Sequence, residues 1–244
     1  MIPTDRLDCY NLSSILTNHI TPGEIEAMLR EQEREDFERL EEFAAAIMQG
    51  GSSRLHVALN GLAGRDLWPL AAEIADFLTP SDTVRAWCLE WWVANGEDLR
   101  LDIADDAVLV ALLRALLPPY TGPDRQLYRS EFAVNASVGC WGVSWSASLR
   151  VAREFAHSAR RKAPGGTVVA TSRVPAAAII ARVPRSLDRA RREREVLVDP
   201  KRLKSVRVVK RYAEQPILSE SLARAEASIS DAQIRAAVRA LAGG

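Results

Sequence analysis

Three prolines in six residues, Pro118-Pro119-Tyr120-Thr121-Gly122-Pro123, divide this 244-residue chain near its middle, and no regular element can run through them. Proline fixes φ, removes a backbone donor and disfavours helix in the residue before it. The hydrophobic period differs on the two sides of this break. Before it, apolar residues recur at helical spacing: Leu67, Leu70, Ile74 and Leu78, then Val84, Trp87, Cys88 and Trp91, then Val108, Leu112, Ala115 and Leu116. Stripes of this kind predict three amphipathic helices that pack together. Upstream, Thr21-Pro22-Gly23-Glu24 has the form of a capping box with proline at the first helical position, which predicts a long, charged and exposed helix running to about Met48 before Gly50-Gly51.

Beyond the break the apolar runs are short and β-branched: residues 166–174, 178–183, 195–198 and 206–209. One helix interrupts them, from about Ser148 through Val151, Phe155 and Ala159. The tail from about Leu218 is helical again, with Ile234, Val238 and Leu241 on one stripe. The chain is thus predicted to be α+β, with a helical bundle over 1–118, a strand-rich domain over 119–212 and a helical tail over 213–244.

Lysine plus arginine equals aspartate plus glutamate at 32 each, so overall charge points to no nucleic-acid or membrane partner. Its distribution is uneven. Residues 24–42 hold nine acids against three arginines, and residues 182–211 hold twelve basic residues against four acids. The cysteines, Cys9, Cys88 and Cys140, are odd in number and widely spaced, which fits a reducing, cytoplasmic compartment of the producing cell or of a target cell. No basic start followed by an apolar run and no membrane span is readable. His19, His56 and His157, with no H-E-x-x-H, leave little material for a metal, and none is expected.

Nucleotide-binding glycine motifs are missing: no G-x-G-x-x-G follows a strand and no G-x-x-x-x-G-K-[ST] occurs. The second half carries instead three short motifs in order: Leu127-Tyr128-Arg129, Gly142-Val143-Ser144-Trp145-Ser146, and Glu193-Arg194-Glu195-Val196-Leu197-Val198. Each alone has an ordinary reading. A lone arginine on a strand is usually a surface ion pair, alternating serines suit an edge strand, and the glutamates stand in a charge run that by itself reads as a solvated loop. That run ends in Val196-Leu197-Val198, however, which sets the glutamates at the mouth of a buried strand. Side chains two apart on a strand share a face, so Glu193 and Glu195 are expected to face one cleft with Arg194 turned away. Trp87 and Trp91 share a face with Val84 and Cys88 and read as core, whereas Trp141 and Trp145 bracket the serines as core or as pocket wall.

In this order, with a helix after the second motif, the three resemble the ADP-ribosyltransferase superfamily, in its arginine, serine-x-serine, glutamate-x-glutamate branch of bacterial or phage type. The resemblance covers roughly residues 120–212, and GVSWSASLRVAREFA carries most of it. It implies a split β-sandwich for the second half and NAD as the substrate. It further implies that Arg129 holds an NAD phosphate or ribose, that Ser130, Ser144, Trp145 and Ser146 line the pocket, and that Glu195 is the catalytic carboxylate with Glu193 directed to the acceptor. The family often has glycine where this chain has Ser130, so the backbone there must suit a residue with a Cβ.

The implied activity is mono-ADP-ribosyl transfer to a macromolecule, with protein arginine favoured and nucleic acid open as acceptor. An NAD glycohydrolase and a non-catalytic binding module remain as alternatives. In the resemblance, the segment before the glutamates meets the acceptor. Here it is PRSLDRARR, in which Arg189 and Arg191 would attract an acidic protein surface or a nucleic-acid backbone, or simply keep a loop solvated. The helical half carries no chemical motif. Target recognition, inhibition of the catalytic half and completion of its core are all open to it, and the oligomeric state is open too.

Overall fold

A computed structural model describes residues 21–160, 163–184, 186–187 and 194–215. The expected tail helix, Glu193, Arg189 and Arg191 lie outside the described residues. Among those described are seven helices and one six-stranded antiparallel sheet, an α+β architecture. In chain order the elements are α1 (Pro22–Gln49), α2 (Ser52–Leu62), α3 (Trp68–Leu78), α4 (Asp82–Ile103), α5 (Asp106–Leu116), β1 (Arg125–Phe132), α6 (Ala133–Ser137), β2 (Ser144–Ser146), α7 (Leu149–Ala159), β3 (Thr167–Val174), β4 (Ile179–Arg182), β5 (Glu195–Val198) and β6 (Arg207–Tyr212).

Local chemistry sets the helix starts. The capping box of α1 forms as expected, with Thr21 N–H donating to Glu24 Oε2 at 2.7 Å and Glu24 N–H returning to Thr21 Oγ1. Ser81, Asp105 and Ser148 cap α4, α5 and α7 by accepting first-turn N–H groups. Helix α2 is additional to the four expected helices, and it buries Leu55, Ala58, Leu59 and Leu62. Helix α3 keeps its expected stripe in part: Leu67 is buried and Ile74 and Leu78 pack against the core, but Leu70 is 48% exposed, and Trp68, Ala71, Ala72 and Ala75 complete the buried face. The alanines let α3 lie close against α1 and α5, so the small residues face inward.

The core of the helical half continues into the sheet. Phe43, Leu55, Leu62, Leu109 and Leu112 belong to one buried cluster with Ile180, Ala181, Val183 and Leu197. The break at Pro118 therefore marks a change of secondary structure without interrupting the core. Polar ties reinforce the join, since Arg114 donates to the Ala177 carbonyl at 3.1 Å and pairs with Asp199 at 3.3 Å.

The strands run in the order β4-β5-β2-β1-β3-β6. Two packed sheets were expected; the structure has one, nearly divided in two. Strand β1 pairs with β3 along its whole length, and β2 pairs with β5 through all three of its residues. Between β1 and β2 only Tyr128 and Ser146 are in register. Past that pair the two strands diverge, and the opening between them is the cleft described next.

Candidate functional site

A cleft of about 780 Å³ lies between helix α4 and the diverging strands, within the usual range of about 300–1,000 Å³ for cofactor and ligand sites. Its floor comes from β1, β2 and the start of β5, its wall from α4. Leu101, Phe132 and Phe155, all substantially exposed, give it an apolar rim.

Arg129 crosses the split. Its Nε donates to Glu131 Oε2 at 2.8 Å, Nη2 lies 2.7 Å from the same oxygen in an ion pair, and Nη1 donates to the backbone carbonyl of Ser144 on β2. The guanidinium thus supplies, from a side chain, a link the backbone ladder has ceased to make. The pair is buried, at 10% and 7% side-chain exposure. Burial pushes the Arg129 guanidinium below its ordinary range, with Glu131 opposing that shift and the nearby charge of Arg100 adding to it. It remains a cation near neutral pH, because arginine starts so high. Burial would raise the Glu131 carboxyl, but Arg129, the Asn135 amide and the Phe132 N–H outweigh it and hold the group below the usual value.

Glu195 opens β5, half-buried at the cleft. Ser146 faces it in register, so Ser144 is its diagonal neighbour on the same face, and Ser144 Oγ–H donates to Glu195 Oε1 at 2.6 Å. Trp92 of α4 donates its indole N–H to the same oxygen at 3.3 Å. Among the described residues no donor meets Oε2. The site therefore holds a carboxylate in a fixed orientation with one oxygen still able to accept from a hydroxyl or face a developing positive charge.

Comparisons of the chain with protein-family models, with curated proteins and with solved structures return no match. Among the described residues no group of three or more His, Cys, Asp or Glu side chains is placed to share a metal ion, and no helix is long and apolar enough to cross a membrane.

The structure brings together Arg129, Ser130, Ser144, Ser146 and Glu195 at one cleft. Ser130 has ordinary strand backbone rather than positive φ, so a side chain costs nothing there. Ser146 is 8% exposed, and its hydroxyl accepts from Ser148 N–H at 3.0 Å, which shapes the entry to α7. Trp145 is both cleft lining and core. It borders the cleft but is only 2% exposed, clustered with Leu127, Ile179 and Val196, and its indole donates to the Gly142 carbonyl at 3.0 Å. Alternation along β2 turns it away from the serines on either side. Glu193 lies outside the described residues, and the backbone that follows it is not extended throughout. Strand β5 begins at Glu195, and Arg194 before it has φ of 52°, a left-handed conformation that breaks the alternation.

Three contributors carry no motif: Glu131, Trp92 and Arg100. Trp92, Gly96 and Arg100 stand four apart on α4, on one face toward the cleft. Gly96 is needed there, because a Cβ would lie 2.7 Å from the Trp92 ring. A buried mid-helix glycine, which costs roughly 1 kcal/mol against alanine, was the sequence signal that could have marked this face.

Proposed function

We propose that this protein is a mono-ADP-ribosyltransferase whose single, nearly divided sheet is an ADP-ribosyltransferase-like fold, cleaving the nicotinamide–ribose bond of NAD and passing ADP-ribose to a macromolecular acceptor. The observation that supports it is the Ser144–Glu195 hydrogen bond of 2.6 Å, in the cleft that Arg129 spans. Residues from three motifs distant in sequence meet at one place, in the combination the family uses.

When the bond breaks, its electron pair leaves with nicotinamide and positive charge develops on the ribose. Glu195 answers that charge with a carboxylate, and Oε2 is available to a ribose hydroxyl. Ser144 and Trp92, both on Oε1, hold the group so that it need not reorganise as charge appears, which favours the transition state over the bound substrate. Protein arginine is the favoured acceptor, with nucleic acid second. The basic segment holding Arg189 and Arg191 would meet an acidic partner.

The test is incubation with NAD labelled in the adenylate, with and without cell lysate, for wild type and Glu195→Gln. Label should appear on macromolecules, removable by protease or by nuclease according to the acceptor. Glu195→Gln should lower NAD cleavage by about 10²-fold or more. Label released only as free ADP-ribose would make the protein a glycohydrolase, and near-normal turnover by Glu195→Gln would refute the assignment of the carboxylate.

A further inference from the structure

We propose that Arg100, on helix α4, is the residue with which the cleft binds the diphosphate of its ligand. The inference rests on the transferase reading for the identity of that ligand and reassigns a role the family resemblance gives to Arg129.

Arg129 is poorly placed for an incoming anion. All three of its nitrogens are engaged, two by Glu131 and one by the Ser144 carbonyl. Turning it to a phosphate would strand a Glu131 carboxylate that is 7% exposed, and leaving a buried charge uncompensated is strongly unfavourable. Arg100 differs in each respect. It lines the same cleft and its side chain is 37% exposed. Its ion pair to Asp106 is long, 3.7 Å from Nε, beyond hydrogen-bond distance. Exchange of that loose contact for two charge-assisted hydrogen bonds to phosphate oxygens is favourable for a planar fork.

The two guanidiniums also lie side by side. A Cβ placed on Gly142 would be 2.4 Å from Arg129 Nη2 and 2.5 Å from Arg100 Nη1, so both pack on this one glycine. Like charges this close repel in a partly dehydrated cleft, and an anion bound between solvent and Arg100 relieves the repulsion. Glu97 and Asp98 border the cleft with the opposite sign, but both are exposed, where salt and water screen them. Helix α4 would then serve both ends of the site, Trp92 at the carboxylate and Arg100 two turns away at the diphosphate.

Equilibrium binding to the full chain tests this, with ADP-ribose, inorganic pyrophosphate and nicotinamide riboside as probes, the last lacking a diphosphate. Arg100→Gln should weaken ADP-ribose by about 10- to 100-fold, flatten its dependence on salt, and leave nicotinamide riboside unchanged. Asp106→Asn, which releases Arg100 from its carboxylate, should tighten ADP-ribose a few-fold. Arg100→Lys, which keeps the charge without the fork, should fall between wild type and Arg100→Gln, and it stands in if the glutamine variant does not fold. Wild-type affinity for ADP-ribose in Arg100→Gln would overturn the inference while leaving the transferase reading intact. Pyrophosphate binding that requires Arg100, without any binding of ADP-ribose, would uphold the anion site and remove NAD as the ligand. A wild-type protein that binds neither probe overturns both.

Discussion

The two ends of the cleft are built on opposite plans. At one, Arg129 is nearly buried, locked to Glu131 and to the Ser144 carbonyl, with every nitrogen engaged. At the other, Glu195 is half-buried with two donors on a single oxygen. A buried charge held by its counter-ion resists change and so builds structure. A half-solvated carboxylate, oriented but incompletely satisfied, is free to respond to a ligand. Residues of the same motif set thus divide into one that ties the two parts of the sheet together and one that faces the cleft.

The sharpest way to break this comparison is Glu131→Gln. It leaves the Arg129 charge buried without its counter-ion and should cost about 3 kcal/mol of stability, read from urea unfolding near neutral pH. The acid limb gives the sign. Burial alone would raise the Glu131 carboxyl, but Arg129 and the local donors depress it below its ordinary 4.5 in the folded protein. Its contribution is therefore complete above that ordinary value and is lost as pH falls through the depressed folded one. The gap between wild type and variant should narrow accordingly under acid. A variant as stable as wild type at pH 7 would mean that the arginine end is no clamp.

A smaller effect is expected at the glutamate end. Trp92→Phe keeps most of the ring but removes the N–H that meets Glu195, so kcat for NAD cleavage should fall about fivefold with KM little changed. Combined with Glu195→Gln the loss should vanish, because the indole acts through that carboxylate. Undiminished loss in the double variant would make Trp92 a packing residue only.

The smallest perturbation compares two thiols beside these ends. Cys140 is exposed, two residues before Gly142, whereas Cys88 is buried one turn before Trp92, and burial pushes its thiol up to about 12. At pH 8 an alkylating reagent followed by peptide mapping should modify Cys140 and leave Cys88 untouched until the chain unfolds. Rapid labelling of Cys88 in native protein would show that α4 lifts from the sheet.

Much of the chain was legible without coordinates because its signals are local. The capping box of α1, the helix after Ser148 and the strand opening at Glu195 follow from residues a few positions apart. What was not legible depended on neighbours distant in sequence. In α3 the stripe holds at Leu67, Ile74 and Leu78, but α1 and α5 approach closely enough that Ala71, Ala72 and Ala75 fill the contact and Leu70 is left exposed. Trp145 stands between two cleft-lining serines in sequence, and the pleat sends it into the core.

The sequence by itself determined the α+β division at Pro118 and the residues Arg129, Ser144 and Glu195, since period, punctuation and motif order are properties of a chain read in line. Only the tertiary structure decided which charge is spent on architecture and which is left for a ligand. It did so by setting Glu131 against Arg129, and by bringing Trp92 across 103 residues of chain to Glu195 and Arg100 to the same cleft. Burial and partnership are relations between distant residues, and no local pattern encodes them.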